Sequence, residues 1–350
     1  MLFNLEQDTG ERVVAYIVPD GYSGVPMIRV CGGGKQLATF AANEKREALV
    51  DAGRHETGQC GFSIDANLVP DLRDLADLEL FDADTGALVY RRPRPGDIKK
   101  KILRLETHLF PLWKVDDAIA PQFQYFAKGI EKLGRETVTQ LFLLNLVESV
   151  YLSGSILYKN YAYWIESGFQ TVVMLQDPYE ELAERLLVLS KVRKFKGLLF
   201  GMRESAALEP AMNFAEALPL GDEKALRRAL RQMPENVAVL LANPLVRQLT
   251  AASPDEMPSA GAVAAALDIL ANSVVVGRRH EPGKFLQGFA ELLGVDASLL
   301  PATPQFATVA RLARFLRESG AVDIMLEKDM ELYHYVGAAA NKAHNDGAIG

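Results

Sequence analysis

The sequence has little cysteine and lacks the residue spacings of common metal, nucleotide and hydrolase sites. Its two cysteines, Cys31 and Cys60, are too few for a disulfide framework, so we expect a reducing, cytoplasmic environment. Five histidines are scattered along the chain, and none stands at zinc-ligand spacing from a cysteine or another histidine, so no metal site is expected. The sequences G-x-G-x-x-G, G-x-S-x-G and Walker A do not occur.

Long hydrophobic runs and an excess of positive charge are absent as well. No stretch of about 18 apolar residues is present, and the N-terminus lacks the apolar segment of a signal peptide. Residues 260–276 come nearest, but Asp268 and Asn272 interrupt them and favour a core helix followed by a strand. A net charge of -7 argues against general nucleic-acid binding. We expect no transmembrane segment, with a peripheral position at an inner membrane left open.

What the 350 residues do contain is a β-rich first part and an alternating second part, long enough for two cores. Apolar alternation in "RVVAYIVP", "PMIRVCG" and "LELFDADTGALVYRR" predicts a small β-sandwich-like domain over residues 1–93. Residues 94–104 are interpreted as a linker, which overlaps the segment "RRPRPGDIKKK" at residues 91–101. That segment has six cations and one acid, so it is either a solvated tether or a surface for anionic polymers or phospholipid head groups.

Short apolar runs alternate with amphipathic helices in the second part, residues 105–350. The runs are "ILRLETHLF", "FQYFA", "SVYLSG", "QTVVMLQ", "KGLLFG" and "NSVVVG". This alternation predicts an α/β domain with a mostly parallel sheet flanked by helices. Ligands bind beyond the carboxyl ends of the strands in this class, so the polar corners after the runs are candidate sites.

The first such corner is the loop in "FQYFAKGIEKLGRETVTQ". It holds Lys128, Lys132 and Gly134 and precedes a helix that begins near Thr137. Free backbone N–H groups and the positive end of a helix dipole can hold a phosphate there, assisted by lysine and threonine side chains. A glycine-containing loop before a helix is also common in proteins without a ligand.

Three further corners carry candidate residues. In "VVMLQDPYEEL", Asp177 and Pro178 are favourable residues for the start of a helix. Helix capping therefore explains the residues of this corner, including the candidate Gln176, without a ligand. The segment "SGSILYKNY" holds Ser155, Tyr158 and Lys159, either as a turn with aromatic packing or as an acceptor site. The remaining two candidates are Arg247 in "NPLVRQLT" and His280 in "RRHE", where a salt-bridged corner competes with an anion pocket.

The order of these corners resembles the carbohydrate sulfotransferase superfamily over residues 120–335, best in "NPLVRQLT" and "SVVVGRRHEPGKFLQGFAELLG". The resemblance implies a P-loop-like α/β fold that uses 3′-phosphoadenosine 5′-phosphosulfate as donor. It places Lys132, Gly134 and Thr137 at the 5′-phosphosulfate, with Lys128 in the same loop. It also places Gln176 at the 3′-phosphate, and Arg247 at the arginine of the family's Asn-x-x-x-Arg.

The chain departs from the family pattern at the donor site. The family's Arg-Asp-Pro is Gln176-Asp177-Pro178 here, and losing such an arginine costs about 1.5–3 kcal/mol of phosphate binding. The family's serine is replaced by Glu184 and Arg185, and Ser155 stands nearest to the expected histidine base. A missing base slows transfer about 10²- to 10⁴-fold. Lys132 and His280 are the catalytic candidates, and Arg185, Lys159 or His280 could substitute for what is lost.

The N-terminal part carries a second resemblance, to the small β domain of bacterial surface-polysaccharide glycosyltransferases. Arg46, Leu49, Gly61 and Phe62 match its Ala-x-x-x-Arg-x-x-Leu and Gly-x-x-Gly-Phe pattern. The implied context is assembly of capsule, lipopolysaccharide or exopolysaccharide, with a glycan or glycolipid acceptor and polysaccharide-assembly proteins as partners.

Three hypotheses follow from the sequence. The first is a divergent sulfotransferase that acts on a surface glycan, and the second is a catalytically inactive carbohydrate- or partner-binding protein on the same fold. Transfer from a nucleotide-sugar is the third, but the Asp-x-Asp spacing occurs only at Asp82 and Asp84, where "DADTG" favours a turn.

Overall fold

The computed structural model of the chain describes residues 1–110, 112–144, 147–195 and 202–347, with the backbone alone for residues 195, 202–204 and 343–347. The chain forms two compact units. Unit 1 comprises Met1–Ile102 and Ile119–Leu152, and unit 2 comprises Leu103–Ala118 and Ser153–Gly350.

Unit 1 contains two antiparallel four-stranded sheets, ordered β1-β2-β6-β5 and β4-β3-β7-β8. The elements are β1 Leu2–Asp8, β2 Arg12–Val18, β3 Met27–Gly32, β4 Lys35–Ala41, β5 Glu44–Lys45, α1 Glu47–Asp51, β6 Gln59–Asp65, β7 Glu79–Asp82 and β8 Leu88–Arg91. Alternate residues of β2 and β3 are buried, as the two-residue period of a strand requires. The rings of Phe40 and Phe62 lie 6.3 Å apart, one from each sheet. The predicted β-rich structure of the N-terminal part is confirmed, and its sheets are antiparallel.

Arg46 and Gly61, two of the residues that match the pattern of the small β domain, pack against each other. The guanidinium of Arg46 donates to Glu44 Oε2 at 2.8 Å and to Glu6 Oε2 at 2.7 Å. A Cβ atom on Gly61 would lie 2.6 Å from Nη1 of Arg46, well inside van der Waals contact. Only glycine therefore leaves the arginine in place, so these two positions depend on each other.

Substituting Gly61 with alanine is expected to lower the free energy of unfolding by about 1–3 kcal/mol, because the new methyl group forces Arg46 or the strand to move. Urea denaturation measures the change. Gly21→Ala is the control, since a Cβ there meets no atom within 4 Å. Equal midpoints for both variants would show that Arg46 relocates without cost.

The third sheet has five parallel strands in the order β10-β11-β9-β12-β13. Its strands are β9 Lys101–Leu105, β10 Tyr125–Lys128, β11 Val150–Gly154, β12 Gln170–Leu175 and β13 Val275–Arg278. Strand β11 is buried throughout, which is typical of a parallel sheet covered on both faces. The predicted parallel sheet with flanking helices is confirmed, and five of the six predicted runs overlap its strands. The sixth run, residues 196–201, lies outside the described residues.

Helices flank this sheet; the one over residues 135–142 belongs to unit 1, and most of the others lie in unit 2. They are α2 Trp113–Ile119, α3 Arg135–Phe142, α4 Ala162–Glu166, α5 Pro178–Leu189, α6 Met202–Ala207, α7 Glu209–Ala217, α8 Glu223–Arg231, α9 Glu235–Leu241, α10 Pro244–Thr250, α11 Ala262–Ala271, α12 Pro282–Leu293, α13 Ala307–Ser319 and α14 Asp323–Gly347. Leu182, Leu186 and Leu189 form the predicted apolar face of α5 and are buried in one cluster with residues of α7 and α13. Within the described ranges, no helix is long and apolar enough to cross a membrane.

The strand order determines where a ligand crevice belongs. From the central strand β9 the chain moves to β10 at one edge of the sheet, whereas from β12 it moves to β13 at the other. The connections therefore leave β9 and β12 in opposite directions, and a crevice opens beyond the carboxyl ends of two such neighbouring strands. The residues that follow β9 and β12 in the sequence, Glu106 and Gln176, stand at this position.

Candidate functional site

A pocket of about 490 Å³ lies at the carboxyl ends of β12 and β13, within unit 2. Polar side chains from both strand ends and from α5 line one part of it, and the beginning of α13 lines the rest. The polar lining residues are Gln176, Glu180, Glu184, Arg279, His280 and Gln305, and Phe306 adds an aromatic ring. The pocket lies one strand away from the crevice position between β9 and β12, but it is at the same carboxyl edge of the sheet and has the mixed lining of a small-molecule site.

Arg279 is the central cation of this pocket. Its backbone N–H donates to Leu175 O at 2.8 Å, which extends the β12–β13 pairing by one residue. Its guanidinium is only 5% exposed and donates from Nη1 to Gln176 Oε1 at 2.8 Å and to Glu184 Oε2 at 2.9 Å. The arginine that the family pattern has at position 176 is absent, but a guanidinium from the neighbouring strand lies beside Gln176.

The pocket carries more carboxylate than cation. Glu184 is buried, and its second oxygen accepts the backbone N–H of Phe110 at 3.0 Å. Burial raises the pKa of Glu180, and the nearby charge of Asp177 raises it further. The lining thus contains one guanidinium, that of Arg279, and two carboxyl groups. A phosphate ester would meet net repulsion here.

The loop that follows the central strand β9 binds carboxylates of the chain itself. Glu106 accepts the backbone N–H of His108 at 3.1 Å and that of Leu112 at 2.8 Å. Between them, the N–H of Phe110 is taken by Glu184. Backbone amides that follow a central parallel strand are the groups that hold phosphates in nucleotide-binding loops. In this loop, three such amides are occupied by protein carboxylates.

A buried charge network supports that loop. Arg104 is 2% exposed; it binds Asp116 through two hydrogen bonds, of 2.8 and 2.7 Å, and donates to Glu106 at 2.7 Å. His108 Nδ1 lies 2.9 Å from the other oxygen of Glu106. Burial alone would raise the pKa of Glu106, but the charge of Arg104 and the His108 hydrogen bond outweigh it and bring the pKa to about 2. This network was not predicted from the sequence, although a charged residue inside the apolar run "KILRLE" is a signal for it.

Two of the sequence-predicted residues, Gln176 and His280, are brought together at the pocket. His280 is half-exposed, and its Nδ1 lies 2.8 Å from the hydroxyl of Tyr333. The salt-bridged corner expected around it is present too, since Arg278 donates to Glu281 at 2.6 Å. The corner "RRHE" therefore contains both an ion pair and a pocket wall.

Arg185 and Arg247 have other partners. Arg185 donates to Glu181 Oε1 at 2.8 Å on its own helix. Arg247 donates at 2.6 Å to the carbonyl oxygens of Val239 and Leu240, at the end of α9. Arg247 thus satisfies helix-terminal carbonyl groups, a structural role that the spacing Asn-x-x-x-Arg does not distinguish from anion binding.

The asparagine of the same motif is structural as well. Asn243 has a positive φ of 43°, and its Oδ1 accepts the N–H groups of Lys328 at 3.0 Å and Asp329 at 3.1 Å. Asp329 in turn accepts the N–H groups of Leu245 and Val246 at the beginning of α10. The segment "NPLVRQLT", which gave the best sequence match, joins α10 to α14 through these bonds.

The predicted phosphate loop lies in unit 1, whereas the pocket lies in unit 2. Lys128 ends β10, residues 130–132 form a 3₁₀ turn that includes Lys132, and Gly134 precedes α3. The hydroxyl of Thr137 is buried and donates to Met1 O at 2.9 Å. The threonine therefore serves packing within unit 1.

The predicted acceptor residues stand apart from the described lining of the pocket. Ser155 follows β11, with its hydroxyl 3.5 Å from Gln248 Nε2. Tyr158 is buried, while Lys159 is exposed and its Nζ lies 3.4 Å from Glu256. Of the two interpretations of this segment, these positions favour a turn with aromatic packing and disfavour an acceptor site.

The basic segment "RRPRPGDIKKK" is partly neutralised. Arg91 pairs with Glu79, Arg92 donates to Asp8 at 2.8 Å, and Arg94 donates to Asp97 at 2.8 Å. Arg91, Arg92 and Arg94 are thus used in ion pairs of unit 1, which disfavours a surface that binds anionic polymers.

Among the residues that the structure describes, no group of three or more His, Cys, Asp or Glu side chains is placed to hold a metal ion. No protein-family model matches the chain, and no curated protein matches it significantly.

Proposed function

We propose that this protein binds a neutral sugar residue of a glycan in the pocket of unit 2, without transferring a group to it. The proposal depends on the finding that backbone amides of the loop after β9 are already bonded to carboxylates of the protein. The amides of His108, Phe110 and Leu112 donate to Glu106 and Glu184, so a nucleotide phosphate would have to displace buried carboxylates. That displacement would leave charges without partners and costs several kcal/mol.

The lining of the pocket suits a sugar. Glu180 offers carboxylate oxygens as acceptors for hydroxyl groups, while Gln176 and Glu184 are bonded to Arg279, and Phe306 presents a ring that is 40% exposed. An aromatic face can pack against the C–H face of a pyranose, while the polar groups fix its hydroxyls. The excess of carboxylate disfavours phosphate and sulfate esters but leaves uncharged sugars unaffected.

The test is ligand-observed NMR and calorimetry on the full chain, with methyl glycosides of glucose, galactose, mannose and N-acetylglucosamine. Binding of at least one glycoside in the unit 2 pocket is expected, and Phe306→Ala is expected to weaken binding at that pocket about tenfold through loss of ring contact, a change of about 1.4 kcal/mol. Tyr163→Ala is the matched control, because this tyrosine is exposed and is not among the lining residues. Titration with adenosine 3′,5′-bisphosphate is expected to give no heat of binding in the calorimeter.

A second candidate is sulfuryl transfer from 3′-phosphoadenosine 5′-phosphosulfate to a glycan hydroxyl on a P-loop-like sheet. The position of Arg279 favours it, because this guanidinium lies beside Gln176, where the resemblance implies a phosphate contact. His280 at the pocket would then be the base that accepts the hydroxyl proton. This candidate requires binding of adenosine 3′,5′-bisphosphate that Arg279→Met abolishes, and such a result would replace the first proposal.

A further inference from the structure

Unit 1 contains a separate cavity of about 470 Å³. Residues of β1, β2, β8 and α3 line it, among them Asn4, Tyr16, Val89 and Gln140. Its size falls within the range of small-molecule sites. It shares no lining residue with the pocket of unit 2.

Three neutral polar side chains around this cavity have no hydrogen-bond partner among the residues that the structure describes, whereas Tyr90, Gln124 and Tyr125 each have one. The side chains of Asn4, Tyr16 and Gln140 are half-buried, and they make no hydrogen bond to any residue that the structure describes. A half-buried amide or phenol without a protein partner is free to bind a ligand or water. Three such groups on three different elements therefore leave hydrogen-bonding capacity unused around one cavity.

The charged groups of the same cavity, in contrast, are saturated. Asp8 accepts from the hydroxyl of Tyr90 at 2.8 Å and from Arg92 Nε at 2.8 Å. Arg91 donates to Glu79 at 2.6 Å and to the carbonyl of Phe123 at 2.9 Å. An anionic or cationic ligand would have to break these bonds, so the lining favours an uncharged ligand.

We propose that this cavity is a second binding site, for one neutral pyranose residue. Each amide supplies a donor and an acceptor, and the phenol of Tyr16 supplies both, which matches vicinal hydroxyl groups. Apolar side chains of Leu5, Val89 and Leu143 supply the surface for the C–H face of the ring. The inference depends on unit 1 alone and does not require the pocket of unit 2 to bind sugar.

The test uses the full chain carrying Phe306→Ala, in which the unit 2 pocket is impaired, with the same methyl glycosides as probes. Adding Tyr16→Phe and Gln140→Leu removes a hydroxyl and an amide at nearly constant shape. We expect glycoside binding to persist in the Phe306→Ala protein and to weaken about tenfold or more in the triple variant, because two hydrogen bonds are lost. Tyr16→Phe alone is expected to weaken it about threefold.

The control adds Gln7→Leu and Tyr22→Phe to the Phe306→Ala protein, since both side chains are exposed in unit 1 and outside the cavity. Unchanged affinity after Tyr16→Phe and Gln140→Leu, or no glycoside binding in the Phe306→Ala protein, would overturn the assignment. The two proposals fail separately, because Phe306→Ala reports on the pocket of unit 2 and Tyr16→Phe on the cavity of unit 1.

Discussion

Replacing Arg104 with methionine is expected to lower the free energy of unfolding by about 3–5 kcal/mol, the usual cost of removing one partner from a buried ion pair. The methionine fills a similar volume but leaves two carboxylates, Glu106 and Asp116, buried without their cation. Glu106 also holds the loop after β9 through the amides of His108 and Leu112, so the loss should loosen that loop. Urea denaturation followed by circular dichroism measures the change.

Arg73→Met is the matched control for this substitution. Arg73 pairs with Glu11 at 3.0 Å, but the two side chains are 75% and 64% exposed. Water already screens such a pair, so its loss should leave the unfolding midpoint unchanged. If both variants lost the same stability, burial of the Arg104 network would not be what makes it important.

The same network predicts how stability depends on pH. Glu106 has a pKa of about 2 in the folded chain, below its ordinary value of 4.5. Its contribution to stability is therefore complete above pH 4.5 and is lost as the pH falls from 4.5 towards 2. Without Arg104, the folded-state pKa of Glu106 should rise, so the Arg104→Met protein should show less of this loss between pH 4.5 and 2, on top of its lower stability at neutral pH.

The strands and helices could be predicted because apolar residues recur in the sequence with the spacing of the buried face of each element. Alternation in "RVVAYIVP" gives β2 with its buried residues Val13, Ala15 and Ile17, and apolar runs give β11 and β12. The order of the strands could not be predicted, because helical connections of similar length can cross to either side of a sheet. The central position of β9, and with it the place of the crevice, is therefore a result of the structure.

The candidate site was only partly predictable, for a related reason. Gln176 and His280 follow strands directly, and the rule that ligands bind at carboxyl ends selects them. Arg247 satisfies the same motif spacing but donates to Val239 and Leu240, and Thr137 binds Met1, 136 residues away. Spacing gives the residue type and its element, but it does not give the group that the side chain contacts.

Replacing Arg279 with methionine is expected to cost about 3–5 kcal/mol of unfolding free energy. Glu184 is 2% exposed, and without Arg279 its carboxylate would retain only the N–H of Phe110 as a partner in the described structure. Gln176 Oε1 would lose its donor as well. Glycoside binding in the pocket should fall with stability, because Glu184 and Gln176 would no longer be held in place; denaturation and calorimetry measure the two effects separately.

A second substitution separates the buried charge from the lost packing. Glu184→Gln removes the charge and keeps an oxygen acceptor for the N–H of Phe110, so the Arg279→Met, Glu184→Gln protein should recover at least half of the lost stability. Glu184→Gln alone should destabilise the chain, since the guanidinium would then lack its carboxylate. If the double variant is no more stable than Arg279→Met, the cost comes from the space that the arginine fills. The two side chains would then be coupled through packing, and the electrostatic argument against phosphate in this pocket would lose its support.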